Sequence, residues 1–209
     1  MKLVIFGSTG SIGTHVVEQA LEQGHTVTAF VRNSIKLNHS HPNLSIFTGD
    51  VMNPTLVEQA VIGHDAAICV LGSGKKLSGN VRSQGTKNII QALEKAGIKR
   101  FICQSTLGTG DSWSNLNFYW KYIMFGFILR KVFADHQIQE QYVQQSDLDW
   151  TIIRPAAFIK GTRTGKYRHG FPSSDRTSSL TISRRDVADF ILKQLDDNTY
   201  WGKAASLSY

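Results

Sequence analysis

The chain has 209 residues, of which 41% are hydrophobic and 19% are charged. This length suits one domain of ordinary size, and the composition supports a packed core and excludes general disorder. Lysine and arginine together number 23 against 16 aspartates and glutamates, so the formal net charge is +7. Because these positive charges are spread along the chain, we expect a phosphorylated small ligand as the anionic partner and no nucleic acid.

Cysteine content and hydropathy indicate the compartment. Two cysteines, Cys69 and Cys103, cannot form a disulfide framework or a zinc site, and we expect buried, unbridged thiols on adjacent strands. His39 and His41 lack a third ligand, so no metal site is predicted. The N-terminus does not resemble a signal peptide, and the longest uncharged run in the apolar segment 116–133 has eight residues, against about 20 for a membrane span. A cytoplasmic protein is therefore expected.

Short apolar runs alternate with segments of helical periodicity along the chain. Strands are predicted at 3–6, 26–31, 44–47, 66–71, 100–103 and 150–153, and helices at 12–23, 54–60, 81–96, 118–145 and 184–195. This alternation predicts a parallel sheet covered by helices on both faces. A barrel needs eight such units and about 250 residues. The prediction is therefore one α/β domain over residues 1–209, a Rossmann-type doubly wound sheet, in which residues at about 155–180 form a lip over the substrate pocket.

A glycine-rich loop joins the first predicted strand to the first helix. It reads Gly7, Ser8, Thr9, Gly10, Ser11, Ile12 and Gly13. Glycine permits a sharp turn and lets a pyrophosphate approach the backbone N–H groups at a helix N-terminus, where any Cβ would hold it off. The loop predicts a dinucleotide site, with a purely structural tight turn as the alternative.

The next two strand ends indicate which dinucleotide binds. Arg32 stands where NAD-binding proteins carry an acid for the ribose 2′-hydroxyl, and a guanidinium suits the 2′-phosphate of NADP. Lys36 would add a second positive charge, although both cations could simply be solvated. Asp50 is expected to face the adenine amino group, to cap the following helix, or to do both.

These loops resemble those of the atypical short-chain dehydrogenase/reductases of the NmrA-like branch, and most closely the biliverdin-IXβ reductase/flavin reductase family. The resemblance covers nearly the whole chain and is carried by FGSTGSIG, VRN, GDV, VLGSG, SDLDWTIIRP and ISRRDVADFIL. It implies that NADP(H) is bound by the glycine-rich loop together with Arg32, Asp50, Val51, Leu71, Gly72, Ser73, Gly74 and Pro155. It also implies that Ser105 and Thr106 lie near the nicotinamide.

One position departs from the family pattern. Where that family carries Pro-Pro-His, this chain reads Pro155-Ala156-Ala157. A role for that histidine therefore cannot be carried over to this chain.

The chemistry is limited by an absent motif. Classical short-chain dehydrogenases use Tyr-x-x-x-Lys as proton donor, and no tyrosine here is followed by lysine four residues later. Ordinary ketone chemistry is thus disfavoured, whereas flavins and linear tetrapyrroles delocalise the incoming electron pair and take a proton from water. The predicted function is NADPH-dependent reduction of such a planar acceptor, with Ser105 and Thr106 as positioning hydroxyls or as groups that only satisfy the turn. The alternative is an NADP-binding redox sensor that acts through a protein partner without turnover.

Three further features remain open. The segment 118–133 is apolar all round and must bury a second face against a partner subunit, the lip, the substrate or a membrane surface, of which a homodimer is favoured. His136 on the long helix is either a candidate acid or a structural residue. The basic residues of the lip either meet anionic groups of the acceptor or remain solvated; they are Lys160, Arg163, Lys166, Arg168 and Arg176.

Overall fold

The computed structural model describes residues 1–33, 40–72 and 79–209. The strands are β1 Lys2–Phe6, β2 Thr26–Val31, β3 Leu44–Thr48, β4 Ala66–Cys69, β5 Arg100–Gln104, β6 Asp149–Pro155, β7 Ala157–Ile159, β8 Arg168–His169, β9 Thr181–Ser183 and β10 Lys203–Ser208. The α-helices are α1 Gly13–Glu22, α2 Pro54–Val61, α3 Val81–Ala96, α4 Arg130–Gln144 and α5 Arg184–Lys193. A 3₁₀ helix covers Gly110–Asn115, and a π-helix covers Tyr119–Ile128.

The main sheet has the strand order β3-β2-β1-β4-β5-β6-β10-β8 over the described residues. All neighbours pair in parallel except β10 and β8, which are antiparallel. The first six positions reproduce the order of a doubly wound Rossmann sheet. The predicted fold class is confirmed. In such a sheet ligands bind beyond the carboxyl ends of the strands, where β1 and β4 diverge.

Alternating side chains of the central strands form a core on each face of the sheet. Leu3 and Ile5 pack on one face, whereas Val4 and Phe6 pack on the other, and all four are fully buried. This follows from the two-residue period of a strand. A strand at the centre of the sheet must therefore be apolar along nearly its whole length, and this pattern predicts β1 from the sequence.

The ends of several helices lie where the sequence predicts them. Gly24 and Gly97 adopt positive φ angles of 79° and 71° just beyond α1 and α3, as expected for glycine at a helix C-terminus. The Ser183 hydroxyl accepts a hydrogen bond from the Asp186 N–H and caps α5.

The two thiols behave as predicted. Cys69 and Cys103 are register partners on β4 and β5, and both are buried and unbridged. The Gln139 side chain lies against them, with its Nε2 atom 3.3 Å from the Cys103 sulfur. Gln139 also donates to the Thr86 hydroxyl at 3.0 Å, so one buried amide links α4, α3 and the sheet.

The prediction of one long helix over 118–145 is wrong. The chain forms a π-helix that ends at Ile128, and Leu129, with φ −105° and ψ 16°, separates it from α4. The Leu129 N–H donates to the Met124 carbonyl, five residues back. The wider turns place Trp120, Phe125 and Leu129 on one wall of a cavity, which a sequence apolar on all sides does not reveal.

Four strands, β7 to β10, were not predicted from the sequence, and β4 is shorter than predicted. β10 reads Lys-Ala-Ala-Ser-Leu-Ser and has one large apolar residue, Leu207, so its composition lacks a strand signal although it pairs with β6. β7 and β9 form a separate two-stranded parallel sheet, and β8 has two residues. β4 was expected to reach residue 71 but ends at Cys69, and Val70 and Leu71 instead line a cavity.

Candidate functional site

The glycine-rich loop packs against the end of β4. Gly7 has φ +89°, and a Cβ there would lie 2.5 Å from the Val70 carbonyl oxygen. A Cβ on Gly13 would lie 2.1 Å from the Gly7 carbonyl oxygen. Both distances are far below a van der Waals contact, so only glycine is accommodated. The Gly10 N–H donates to the Gly7 carbonyl at 2.9 Å and closes the turn.

This turn presents the N-terminus of α1. The first N–H groups of a helix have no intrahelical partner and favour an anion. The N-cap residue, Ile12, has no polar side chain to satisfy them, and the first turn of α1 carries no acidic residue. The cradle therefore fits a pyrophosphate. Ser8 takes a different role from its neighbours, because its buried hydroxyl donates to the Ile5 carbonyl and supports the turn from behind.

A cavity of about 270 Å³ extends from the loop across the ends of β2 and β3. Its lining residues are Gly7, Thr9, Gly10, Phe30, Val31, Arg32, Asp50, Val51, Met52, Leu71, Gly72 and Val81. The structure thus brings Arg32 and Asp50, which lie on different loops, to one cavity beside the glycine-rich loop. Lys36, Ser73 and Gly74, which the sequence also predicts for this site, lie outside the described residues.

Asp50 does not cap α2. Its Oδ1 accepts a hydrogen bond from the Met52 N–H at 2.9 Å within its own loop. The cap of α2 is Asn53, whose side-chain oxygen accepts from the Thr55 and Leu56 N–H groups. The capping role considered for Asp50 is therefore wrong, and its carboxylate remains part of the cavity lining.

A larger cavity of about 460 Å³ opens from the other side of the loop. Its lining residues are Gly10, Ser11, Ile12, Val70, Leu71, Gly72, Arg82, Gln104, Ser105, Thr106, Leu107, Leu116, Trp120, Phe125, Leu129, Val132, His136, Pro155, Ala156, Ala157, Phe158, Leu180 and Arg184. Gly10, Leu71 and Gly72 line both cavities. The two spaces therefore meet at the glycine-rich loop, as an extended dinucleotide requires.

Ser105 and Thr106 follow β5 and line the larger cavity. The Ser105 N–H donates to the Ile153 carbonyl at 2.7 Å, which fixes this loop against β6. The Thr106 hydroxyl makes one long hydrogen bond, 3.4 Å to the Leu107 carbonyl, and the Ser105 hydroxyl lies 3.5 Å from that of Thr109. Both hydroxyls are weakly engaged, so each can bond a ligand in the cavity.

A buried ion pair holds this loop in place. Glu140 of α4 binds Arg154 of β6 through two hydrogen bonds, Nε to Oε1 at 3.0 Å and Nη2 to Oε2 at 2.7 Å. The Thr109 hydroxyl donates to the same carboxylate, and Asp111 receives the remaining arm of Arg154. This network could not be predicted from the sequence, because its members lie on three separate elements and only the fold brings them together.

His136 lies in the larger cavity but is not an acid at neutral pH. Burial, reinforced by the positive charge of Arg82, lowers the pKa of His136 to about 3. Gln139 donates through its Nε2 to Thr86, so its oxygen accepts from Nδ1 of His136 at 3.0 Å. The imidazole is therefore neutral, with its proton on Nδ1. The structural interpretation of His136 is the better one.

The basic residues of the lip do not line the larger cavity. Arg163 binds Asp189 of α5, with 2.7 Å between Nη2 and Oδ1, and Arg168 binds Asp175. Lys160, Lys166 and Arg176 are exposed. Acidic side chains hold two of these cations, one within the lip itself and one on α5, and the other three match the solvated alternative. The arginine that does line the cavity beside the lip is Arg184, which the sequence analysis missed.

The π-helix divides its apolar side chains between two surroundings. Trp120 and Phe125 face the cavity, whereas Phe118 is 70% exposed and Phe127 is 84% exposed. Tyr122 and Ile123 are exposed beside them. The second face that the sequence requires to be covered is thus open in the isolated chain. An exposed apolar cluster of this kind marks a contact surface.

Two kinds of feature are absent from residues 1–33, 40–72 and 79–209. No helix there is long and apolar enough to cross a membrane. Within the same ranges no group of three or more His, Cys, Asp or Glu side chains is placed to hold a metal ion.

Comparison with known proteins places this site in a family. Residues 7–198 match the sequence profile of a family described as NAD(P)H-binding. The photosystem II assembly factor Ycf39 of Synechocystis is 27% identical over an alignment 207 residues long, which covers 94% of this chain and 59% of that protein. The chain therefore spans less than two thirds of that relative.

Two solved structures superpose on the entire chain. The oxidoreductase ylbE of Lactococcus lactis has a TM-score of 0.85 and 28% identity, and the match covers 100% of this chain and 90% of that one. ChuY of Escherichia coli O157:H7, described as an anaerobilin reductase, has a TM-score of 0.81 and 26% identity, covering 100% of this chain and 97% of that one. Both are similar to this protein in fold and in sequence.

The depressed pKa of His136 predicts a specific pH dependence of stability. Below pH 6.5 the unfolded chain takes up a proton at this residue, whereas the folded protein does not until about pH 3. The free energy of unfolding therefore falls as the pH drops through this window, by about 1 kcal/mol from this residue between pH 6.5 and 5.5. Urea unfolding at several pH values measures this slope. His136→Gln should reduce the slope, because the residue that binds a proton only in the unfolded chain is then absent. An unchanged slope in His136→Gln would contradict the assignment.

Proposed function

Because the chain belongs to the NAD(P)H-binding family, with the Rossmann-type fold of the atypical short-chain dehydrogenase/reductases, we propose that it is an NADPH-dependent reductase of a planar conjugated acceptor such as a flavin or a linear tetrapyrrole. One observation carries the proposal. The pyrophosphate cradle opens into a largely apolar cavity of about 460 Å³ whose described lining includes no tyrosine, lysine or carboxylate.

The chain's own residues bind and orient the cofactor in this proposal. The α1 N-terminus and Gly10 hold the pyrophosphate, while Arg32 and Asp50 hold the adenosine end in the smaller cavity. Pro155, Ser105 and Thr106 border the nicotinamide end. Bound NADPH supplies the reducing equivalent, and the protein supplies proximity and an apolar surrounding.

The composition of the cavity determines which acceptors are suitable. Reduction of an isolated carbonyl builds negative charge on oxygen and needs a proton donor. His136 is neutral, and the two hydroxyls at 105 and 106 are ordinary alcohols, so neither provides a strong acid. A conjugated ring spreads the added electron pair and takes its proton from water. Trp120, Phe125 and Phe158 provide aromatic faces for such a ring.

The similarity to ChuY supports a tetrapyrrole among the planar acceptors, because that protein is described as an anaerobilin reductase. We further propose that residues 155–180 act as the lip of the acceptor pocket, since Phe158 and Leu180 line it. The proposed compartment is the cytoplasm, with the buried thiols of Cys69 and Cys103 kept reduced.

Cofactor preference provides a first test. The protein should bind NADPH much more tightly than NADH, because Arg32 stands in the adenosine cavity where an acid would serve NAD. Arg32→Asp should lose about 1.5–3 kcal/mol of NADPH affinity, the contribution of a hydrogen bond to a charged group, and gain affinity for NADH. Isothermal titration of both cofactors measures this, with Arg185→Asp on α5 as the control. Equal dissociation constants for NADPH and NADH in the unmodified protein would contradict the assignment.

Turnover provides the second test. NADPH oxidation should be measured with FMN, biliverdin and a quinone. Ser105→Ala and Thr106→Ala should each lower the rate about tenfold, since one neutral hydrogen bond contributes ~1.4 kcal/mol. The rate should change little between pH 6 and 8, because His136 does not titrate there. Gly10→Val should abolish turnover by filling the pyrophosphate cradle.

Two outcomes would overturn this mechanism. A loss of several thousandfold in either alanine variant would mean that a hydroxyl acts as an essential proton donor. No oxidation of NADPH with any planar acceptor would favour the alternative of a redox sensor, for which the exposed face of the π-helix is the available partner surface.

We also propose that this face joins two copies of the chain. Its exposed members include Phe118, Tyr122, Ile123 and Phe127, and burying them in a symmetric contact removes apolar area from water. The protein should sediment as a dimer, and Tyr122→Lys combined with Phe127→Lys should shift it to a monomer that still binds NADPH. The control is Ile62→Lys, which changes a side chain of 70% exposure beside α2. A monomer at all concentrations of the unmodified protein would disprove the dimer.

A further inference from the structure

Two arginines line the larger cavity from different elements. Arg82 lies in the first turn of α3, and Arg184 is the first residue of α5. Among the described lining residues no aspartate or glutamate accompanies them. The neutral His136 adds no charge, so the described wall of this largely apolar cavity is cationic.

Arg82 is nearly buried and incompletely bonded. Its side chain is 12% exposed, and within the described ranges its Nε and Nη1 atoms have no hydrogen-bond partner. The carboxylate beside it belongs to Asp135, but Nη1 and Oδ2 are 3.8 Å apart, too far for a hydrogen bond. The oxygens of Asp135 are already engaged by the N–H groups of Arg82 and Ser83 and by the Ser83 hydroxyl. The described residues therefore leave the Arg82 guanidinium only partly hydrogen-bonded.

Arg184 is held in place without a carboxylate. Its Nη1 donates to the Ile159 carbonyl at 3.1 Å, and the guanidinium lies 5.5 Å from the centre of the Phe158 ring. No ion pair to Arg184 occurs within the described residues, and its buried Nε has no hydrogen-bond partner there. Backbone and ring contacts orient the guanidinium but leave its charge uncompensated. A half-buried guanidinium in this condition favours an anionic ligand.

The topology places the reaction site between these two cations. Arg82 belongs to the helix that follows β4. Arg184 directly follows β9, which pairs with β7, the strand that comes after β6. β5, whose end carries Ser105 and Thr106, lies between β4 and β6. An acceptor lying over these hydroxyls thus has an arginine on each flank.

We propose that Arg82 and Arg184 bind an anionic group of the acceptor, a carboxylate or a phosphate, and so select charged planar acceptors over neutral ones. This inference rests on the proposed function and specifies the substrate class of the same site. Both groups accept two parallel hydrogen bonds from a guanidinium, and such bonds are strong inside an apolar cavity. The carboxylate arises from a side chain such as a tetrapyrrole propionate, and the phosphate from a flavin nucleotide.

Equilibrium binding tests the proposal without requiring turnover. The protein saturated with NADP⁺ is titrated with two matched pairs, biliverdin and its dimethyl ester, and FMN and riboflavin. Quenching of tryptophan fluorescence reports binding, because Trp120 lines the cavity. In at least one pair the anionic member should bind at least tenfold more tightly than the neutral member. A preference within the biliverdin pair indicates that the site binds a carboxylate, and a preference within the flavin pair indicates that it binds a phosphate.

Variants then assign the preference to residues. Arg82→Met and Arg184→Met should each weaken binding of the anionic member about tenfold. The affinity for the neutral member should stay unchanged. Arg82→Lys and Arg184→Lys should recover part of the affinity, since the charge is kept and the planar fork is lost. The matched control is Arg185→Met, which removes the same charge from an exposed neighbour that does not line the cavity. Retained NADP⁺ affinity and thermal stability establish that each variant is folded.

The outcomes separate this inference from the proposed function. Equal affinity for the anionic and neutral members of both pairs, or no binding of any of the four, overturns the inference. If Arg82→Met weakens the binding of NADP⁺ but leaves the preference for the anionic acceptor unchanged, Arg82 binds the cofactor. The inference is then wrong for that residue. If the protein binds the anionic members more tightly but oxidises NADPH with none of them, the inference is supported and the proposed reductase activity is refuted.

Discussion

The whole site depends on one close approach, that of the glycine-rich loop to the end of β4. Cβ atoms at Gly7 and Gly13 would meet the Val70 and Gly7 carbonyl oxygens at 2.5 and 2.1 Å, so the turn exists only because these side chains are absent. The contact aims the N-terminus of α1 at the gap between β1 and β4. Both cavities open from this point, and Gly10, Leu71 and Gly72 belong to each of them.

The second determinant is the lack of a titrating group within the described lining of the larger cavity. His136 lines the cavity, but burial and the neighbouring charge of Arg82 keep its imidazole neutral. Gln139 fixes its proton on Nδ1 while bonding Thr86, so the imidazole is part of the structural core between α4 and α3. What this part of the cavity offers a ligand is apolar surface, weakly engaged hydroxyls and two arginines. This composition is the basis on which we propose a conjugated acceptor and not an isolated carbonyl.

Features set by neighbouring residues follow from the sequence, whereas contacts between residues far apart in the chain do not. The glycine-rich loop, the cap at Ser183 and the glycine after α3 act within a few residues, and each lies where the pattern predicts it. The failures involve partners that are far apart in the chain. Arg163 is taken by Asp189, which the sequence gives no reason to pair with it. β10 is a strand because it lies between β6 and β8, since its small residues carry no strand preference of their own.

Local sequence therefore determined the fold class and the cofactor end of the site, because a phosphate loop is built from backbone conformation, and glycine spacing specifies it directly. That Arg32 and Asp50 share one cavity could also be predicted, since each follows a strand at the edge where ligands bind. Tertiary structure alone decided the lining of the larger cavity, where we propose that the acceptor binds. Trp120, Arg82 and Arg184 reach one cavity only after a π-helix, α3 and α5 have packed around β5. Which apolar or charged side chain faces a ligand depends on long-range packing, and periodicity in a single chain carries no information about it.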